Sequence, residues 1–130
     1  MDLIGSLYNR SLATGMRYLA GRKFETHKNA TLEVPSREPS RSIKIHAYAP
    51  KNPATPSPVL INFHGSGFIV PMHGSDDEFA RHIASETSYT VSDACYRLAP
   101  EHPFPAATND ATDVVKYVLD HPKLYNASHT

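Results

Sequence analysis

The sequence predicts an α/β fold, and three observations carry that expectation. A short apolar run, Val59-Leu-Ile-Asn-Phe63, empties into the small residues of His64-Gly-Ser-Gly-Phe68. That is the pattern of a strand covered on both faces in a mainly parallel sheet. Two helical patterns then alternate with one further strand-like stretch. Ahead of them, two stretches with the look of antiparallel strands follow a first helix.

Taken in order, residues 2–20 carry Leu3, Leu7, Leu12, Met16 and Leu19 at loosely helical spacing, and Gly21 is the expected stop. This amphipathic helix packs on a neighbour or covers something. Stretches 29–34 and 41–48 read as strands. In the second, Ile43, Ile45 and Ala47 alternate with Lys44, His46 and Tyr48, the period of a half-exposed antiparallel strand. Prolines 35 and 39 with Ser36 and Ser40 mark the connection between them. After the proline-rich loop at 50–58 comes the 59–63 strand. Ser75-Asp-Asp-Glu78 has the spacing of a helix capping box, followed by the apolar stripe Phe79, Ala80, Ile83, Ala84. Tyr89–Tyr96 is a strand interrupted by Asp93. The clearest helix carries Ala107, Ala111, Val114, Val115, Val118 and Leu119 on one stripe and ends at Pro122.

Composition narrows the function classes. The chain has 130 residues, the size of one domain or a piece of one. Basic and acidic residues balance at 13 each, which removes the footprint of a nucleic-acid or polybasic membrane binder. One cysteine excludes an internal disulfide and any multi-cysteine metal knot. No run approaches the ~18–20 apolar residues of a membrane span. The N-terminus lacks the basic start and apolar run of a secretory signal, so the expected location is cytoplasmic. The sequons at Asn9, Asn29 and Asn126 are then chance matches. The eight histidines, at 27, 46, 64, 73, 82, 102, 121 and 129, form no His-x3-His pair and no H-E-x-x-H, so no metal site is expected. Neither a Walker loop nor a dinucleotide fingerprint occurs, and no cofactor is expected. Cys95 reads as a small core residue, and Asp110 and Asp113 as solvated acids on the polar side of the last helix.

Two segments carry chemistry. In His64-Gly-Ser-Gly-Phe68 a strand gives way to residues without bulk, leaving main-chain N–H groups free to meet a ligand oxygen. A tight turn needing glycine at positive φ is the other reading of the same residues. About thirty residues on stands Tyr96-Arg-Leu-Ala-Pro-Glu-His-Pro-Phe-Pro-Ala-Ala107. Together the segments resemble the hormone-sensitive-lipase-like carboxylesterases of the α/β-hydrolase fold, which pair an H-G-G-G motif with Y-R-L-A-P-E-x-x-F-P-A-A. The likeness runs without gaps from about Pro58 to Leu119.

That resemblance implies the first part of a hydrolase sheet: an N-terminal helix at 1–22 that is a possible cap element, then the start of an incomplete three-layer core at 29–130. It implies oxyanion-hole donors at the amides of Ser66 and Gly67, with His64 and Gly65 shaping the loop. His64 would orient the loop through hydrogen bonds and is not the catalytic base. Ser66 departs from the family, which has glycine there, and would be strained if the position needs positive φ. Tyr96, Arg97, Pro100, Glu101 and Pro105 would be scaffold, with Arg97 and Glu101 as an ion pair and no catalytic part for Glu101 or His102. The substrate would be a small-molecule ester of short or medium acyl chain.

One absence accompanies the likeness. The six glycines, at 5, 15, 21, 65, 67 and 74, leave no G-x-S-x-G anywhere, so the chain carries no nucleophile elbow and none of the triad that follows it. The expectation is a hydrolase whose oxyanion half lies here and which does not turn over esters with these residues alone. Two rivals stand beside it: a non-catalytic binding protein of the same fold, as in the plant hormone receptors of the family, and a self-contained interaction domain.

Overall fold

A computed structural model of the chain describes residues 3–20 and 24–124, with side chains of the first helix described from 7 to 18. The expectations for Gly21, Asn126 and His129, and those for the side chains of Leu3 and Leu19, lie outside the described residues. The order is α1 (Leu3–Ala20), β1 (Ala30–Pro35), β2 (Ser42–Tyr48), β3 (Val59–Phe63), α2 (Asp77–Glu86), β4 (Thr90–Ala94) and α3 (Ala106–Asp120), closed by a 3-10 turn at Pro122–Leu124. The strands form one sheet in the order β1-β2-β4-β3. β2 runs antiparallel to both β1 and β4, whereas β3 and β4 are parallel and joined through α2. The α/β class and the strand–helix alternation therefore hold.

Strand parity sorts the side chains into two layers. On one face Val34, Ile43, Ile45 and Ala94 pack with Val114 of α3, flanked by Ile61 and Phe63. On the other, Tyr48 and Val91 pack with Ala80 and Ala84 of α2, flanked by Leu60 and Ile83. The sheet is thus the middle of three layers. β3 is the last strand in the sheet order and is half-buried along its length, less covered than its apolar sequence led us to expect.

Four expectations need correction. His46 and Tyr48 are buried, not on an exposed face, because α2 covers the side of β2 opposite Ile43 and Ile45. The face α3 buries runs through Asp110, Val114 and Val118, while Val115 and Leu119 remain exposed. The capping box does not form: α2 begins after Asp76, no side chain caps it, and Ser75 Oγ turns to Asp76 Oδ1 at 3.2 Å. In α1 it is Ala13 that is buried, while Leu7, Leu12 and Met16 face outward. Among the described residues no helix is long and apolar enough to cross a membrane.

Candidate active site

β3 delivers the 64–68 loop at its C-terminal end, beside the end of the parallel strand β4 that leads into Tyr96. Gly67 and Phe68 both adopt left-handed backbone, with φ of 57° and 61°, whereas Ser66 does not. Serine at 66 therefore carries no backbone strain, and the φ requirement falls on the next residue, where glycine stands.

Ser66 also does something a glycine cannot. The Tyr96 hydroxyl donates to the main-chain carbonyl of His64. Having spent its one proton there, it accepts from Ser66 Oγ at 2.7 Å. Ser66 Oγ in turn accepts the Phe68 N–H at 2.9 Å. The loop closes on itself through Ile69 and Val70, whose amides both donate to the Ser66 carbonyl. Among the described residues the amides of Gly65, Ser66 and Gly67 have no main-chain or side-chain acceptor. They border a cleft of about 470 Å³ whose wall is completed by Phe63, Phe68, Tyr96 and the first turns of α3. A larger open groove of about 980 Å³, lined by Tyr48, Asp76 and Arg81 among others, contains none of these loop residues.

His64 is buried and stacks on Tyr96, ring centroids 4.6 Å apart. Among the described residues the one hydrogen bond of its side chain is Nδ1 to the Gly65 carbonyl at 3.3 Å. His64 therefore meets the loop and its neighbour through two hydrogen bonds, its ring to the Gly65 carbonyl and its own carbonyl to the Tyr96 hydroxyl.

Tyr96 is itself held from α3. Asp110, fully buried, accepts from the Arg97 amide at 2.9 Å, from Arg97 Nη2 at 2.9 Å, and from both Nη atoms of Arg41 at 2.8 Å. Burial alone would raise the Asp110 carboxyl, but the hydrogen bonds from Arg41 and Arg97 outweigh it and keep it below the usual carboxylate range. Asp113, with a side chain only 10% exposed, is taken by Arg37. Neither acid is solvated, contrary to the sequence reading.

Arg97 does not pair with Glu101. Its other partner is Glu38, and Glu101 belongs to Arg17 of α1, with both guanidinium–carboxylate contacts at 2.8 Å. Those hydrogen bonds pull Glu101 down to about 2. The same guanidinium reaches the carbonyls of Ile69 and Ala99. One side chain thus ties α1 to the flank of the 64–68 loop and to the 97–105 loop. The two loops meet again where the Ala99 amide donates to the Phe68 carbonyl at 2.8 Å. Pro100 and Glu101 lie in the turn that follows, and Pro105 immediately precedes α3.

A family model for the alpha/beta hydrolase fold matches residues 60–130, more than half of the chain and spanning both loops. The chain belongs to the α/β-hydrolase fold family. The chain is 33% identical over 88 residues to an AB hydrolase superfamily protein of Schizosaccharomyces pombe, covering 68% of this chain and 25% of the relative. It is 38% identical over 71 residues to esterase LipI of Mycobacterium tuberculosis, covering 55% and 22%. A bacterial heroin esterase superposes with a TM-score of 0.73 at 32% identity, covering 92% of this chain and 37% of that one. The chain thus spans about a quarter of the length of the curated relatives it matches.

Residues that local spacing could not find lie in the layer between the sheet and α2. His46 of β2, His73, and Asp93 of β4 come together there, His46 and His73 stacked at 3.9 Å and His73 5.9 Å from the His64 ring. Burial pushes His46 down to about 4, with the neighbouring His73 adding to it, and burial likewise lowers His73. Burial raises the Asp93 carboxyl. His46 Nδ1 and Asp93 Oδ2 are buried without a hydrogen-bond partner. Such groups cost roughly 1–3 kcal/mol each. Asp77, on the same side, accepts from Tyr48, Arg81 and the His27 amide. Burial pushes the Asp77 carboxyl up, and those donors more than reverse it. Cys95 is half-buried and its thiol is raised by burial, which suits packing and not nucleophilic attack.

Proposed function

We propose that the 64–67 loop is the oxyanion-stabilising half of a serine carboxylesterase site, acting on small-molecule esters of short or medium acyl chain. The observation that carries this reading is the set of unpartnered amides at Gly65, Ser66 and Gly67, held open to a cleft by the Ser66–Tyr96–His64 hydrogen bonds. Attack of a serine on an ester carbonyl moves the π electrons onto oxygen, and the amides of Ser66 and Gly67 receive that charge. Because the donors are fixed beforehand, no reorganisation is needed as the charge develops. Loss of one such donor typically costs about 10²–10³ in kcat. The esterase relatives support the reaction class, and the family-model match over residues 60–130, which includes the loop, supports the location.

Within this chain no G-x-S-x-G supplies the attacking serine. Oxyanion donors lower a barrier but do not supply a bond-forming atom, so these residues alone do not hydrolyse an ester. α1 is read as a cap element docked on the loop through Arg17. The test is turnover of a short-chain nitrophenyl ester by the purified chain, with and without a serine-reactive phosphonate. No phosphonate-sensitive turnover is expected. Turnover that the phosphonate abolishes would contradict this division of labour.

A further inference from the structure

Three donors that the oxyanion reading leaves unused converge between the sheet and α2. His46 and Asp93 are directly opposite each other across the β2–β4 ladder, and His73 enters from the segment that leads into α2. One donor atom from each lies within 4.8 Å of the other two. Asp93 is held in place from its other side, where Asn62 Nδ2 donates to Oδ1 at 2.8 Å, and Asn62 also reaches Asp76. That leaves Asp93 Oδ2 on the imidazole side, 3.5 Å from His73 Nε2. Neither Asp93 Oδ2 nor His46 Nδ1 has a hydrogen-bond partner, though both are buried.

We propose that His46, His73 and Asp93 bind a divalent transition-metal ion of the zinc type, with water at the open position. Two imidazoles and one carboxylate form a donor set suited to such an ion, with expected bonds of about 2.0–2.2 Å. Ligands at that distance around a tetrahedral ion stand roughly 3.3–3.5 Å apart. The Asp93–His73 separation already matches, and His46 closes the remaining gap by turning out of its stack with His73. In the metal-free arrangement His73 Nε2–H donates to the Asp93 carbonyl at 3.0 Å. On binding, that proton moves to Nδ1 and the Nε2 lone pair faces the ion. Lys28 and Lys44 oppose a cation here, while Asp76 and Asp77 offset them. The site lies behind the oxyanion loop, with His73 next to His64. Its ion would brace β2, β4 and the α2 entry and would not touch the ester.

The experiment is titration of the metal-free chain with Co²⁺, read by visible absorption, and with Zn²⁺, read as a shift in Tm. Saturation at one ion per chain, a tetrahedral Co²⁺ spectrum displaced by Zn²⁺, and a Tm rise reversed by chelator are expected. His46→Gln, His73→Gln and Asp93→Asn should each weaken binding by about 10-fold or more. His27→Gln, an exposed histidine, should leave it unchanged. The proposal fails if the unmodified chain gives no tetrahedral Co²⁺ spectrum, as a single buried water bridging His46 and Asp93 would predict. It fails equally if binding survives all three substitutions and is lost with His27→Gln.

Discussion

Ser66 Oγ donates to the hydroxyl of Tyr96 across 30 residues of sequence, at 2.7 Å, and Tyr96 passes its own proton to the carbonyl of His64. A serine inside the 64–68 loop thereby becomes a strut. The strut has a measurable worth. Tyr96→Phe removes one acceptor and one donor while keeping the ring stacked on His64, and should cost about 1–2 kcal/mol in urea unfolding. Amide exchange at Gly65, Ser66 and Gly67 should speed up in that variant more than exchange in β1. Unaltered exchange at the loop would mean that other contacts hold it.

Asp110 is the post on which that tyrosine stands. Asp110→Asn keeps the shape but removes the carboxylate that Arg41 pairs with and leaves Arg97 with Glu38 alone. Breaking a buried pair by removing one partner typically costs about 3–5 kcal/mol. A drop of that size in thermal or denaturant unfolding is expected, well above that for Asp120→Asn on the exposed last turn.

The Arg17–Glu101 pair fixes the sign of an acid effect. Glu101 is depressed to about 2 in the fold, so the stability it contributes is fully present above the unfolded carboxylate value near 4.5. It is lost progressively as pH falls from there through about 2. Glu101→Gln should lower stability at neutral pH and flatten that part of the curve by the same small amount, because the side chain is 47% exposed and solvent screens the pair. Protease cleavage within α1 should rise in the same variant.

Sequence periodicity exposed the elements because burial on each face repeats locally. The strand pair, β3 and α3 all follow from spacing within ten to fifteen residues. The motif segments were legible for the same reason, being contiguous. What spacing did not show were partners contributed by other strands. Asp110 looks solvated in its helix until Arg41 and Arg97 arrive from just before β2 and from the segment after β4. His46 and Asp93 are 47 residues apart and meet only through sheet register, with His73 brought in from the segment ahead of α2. The capping box failed because Asp77 is claimed by Tyr48, Arg81 and His27, so the helix begins where that hub places it.

On the proposed reading the amides of Ser66 and Gly67 are donors for a negatively charged oxygen. A titration of the ¹⁵N-labelled chain with methylphosphonate, whose tetrahedral oxyanion resembles the reaction intermediate, tests it most directly. The expected result is downfield amide-proton shifts concentrated at Ser66 and Gly67, weakened in Tyr96→Phe. Shifts confined to another surface, with Ser66 and Gly67 unmoved at saturating phosphonate, would contradict it.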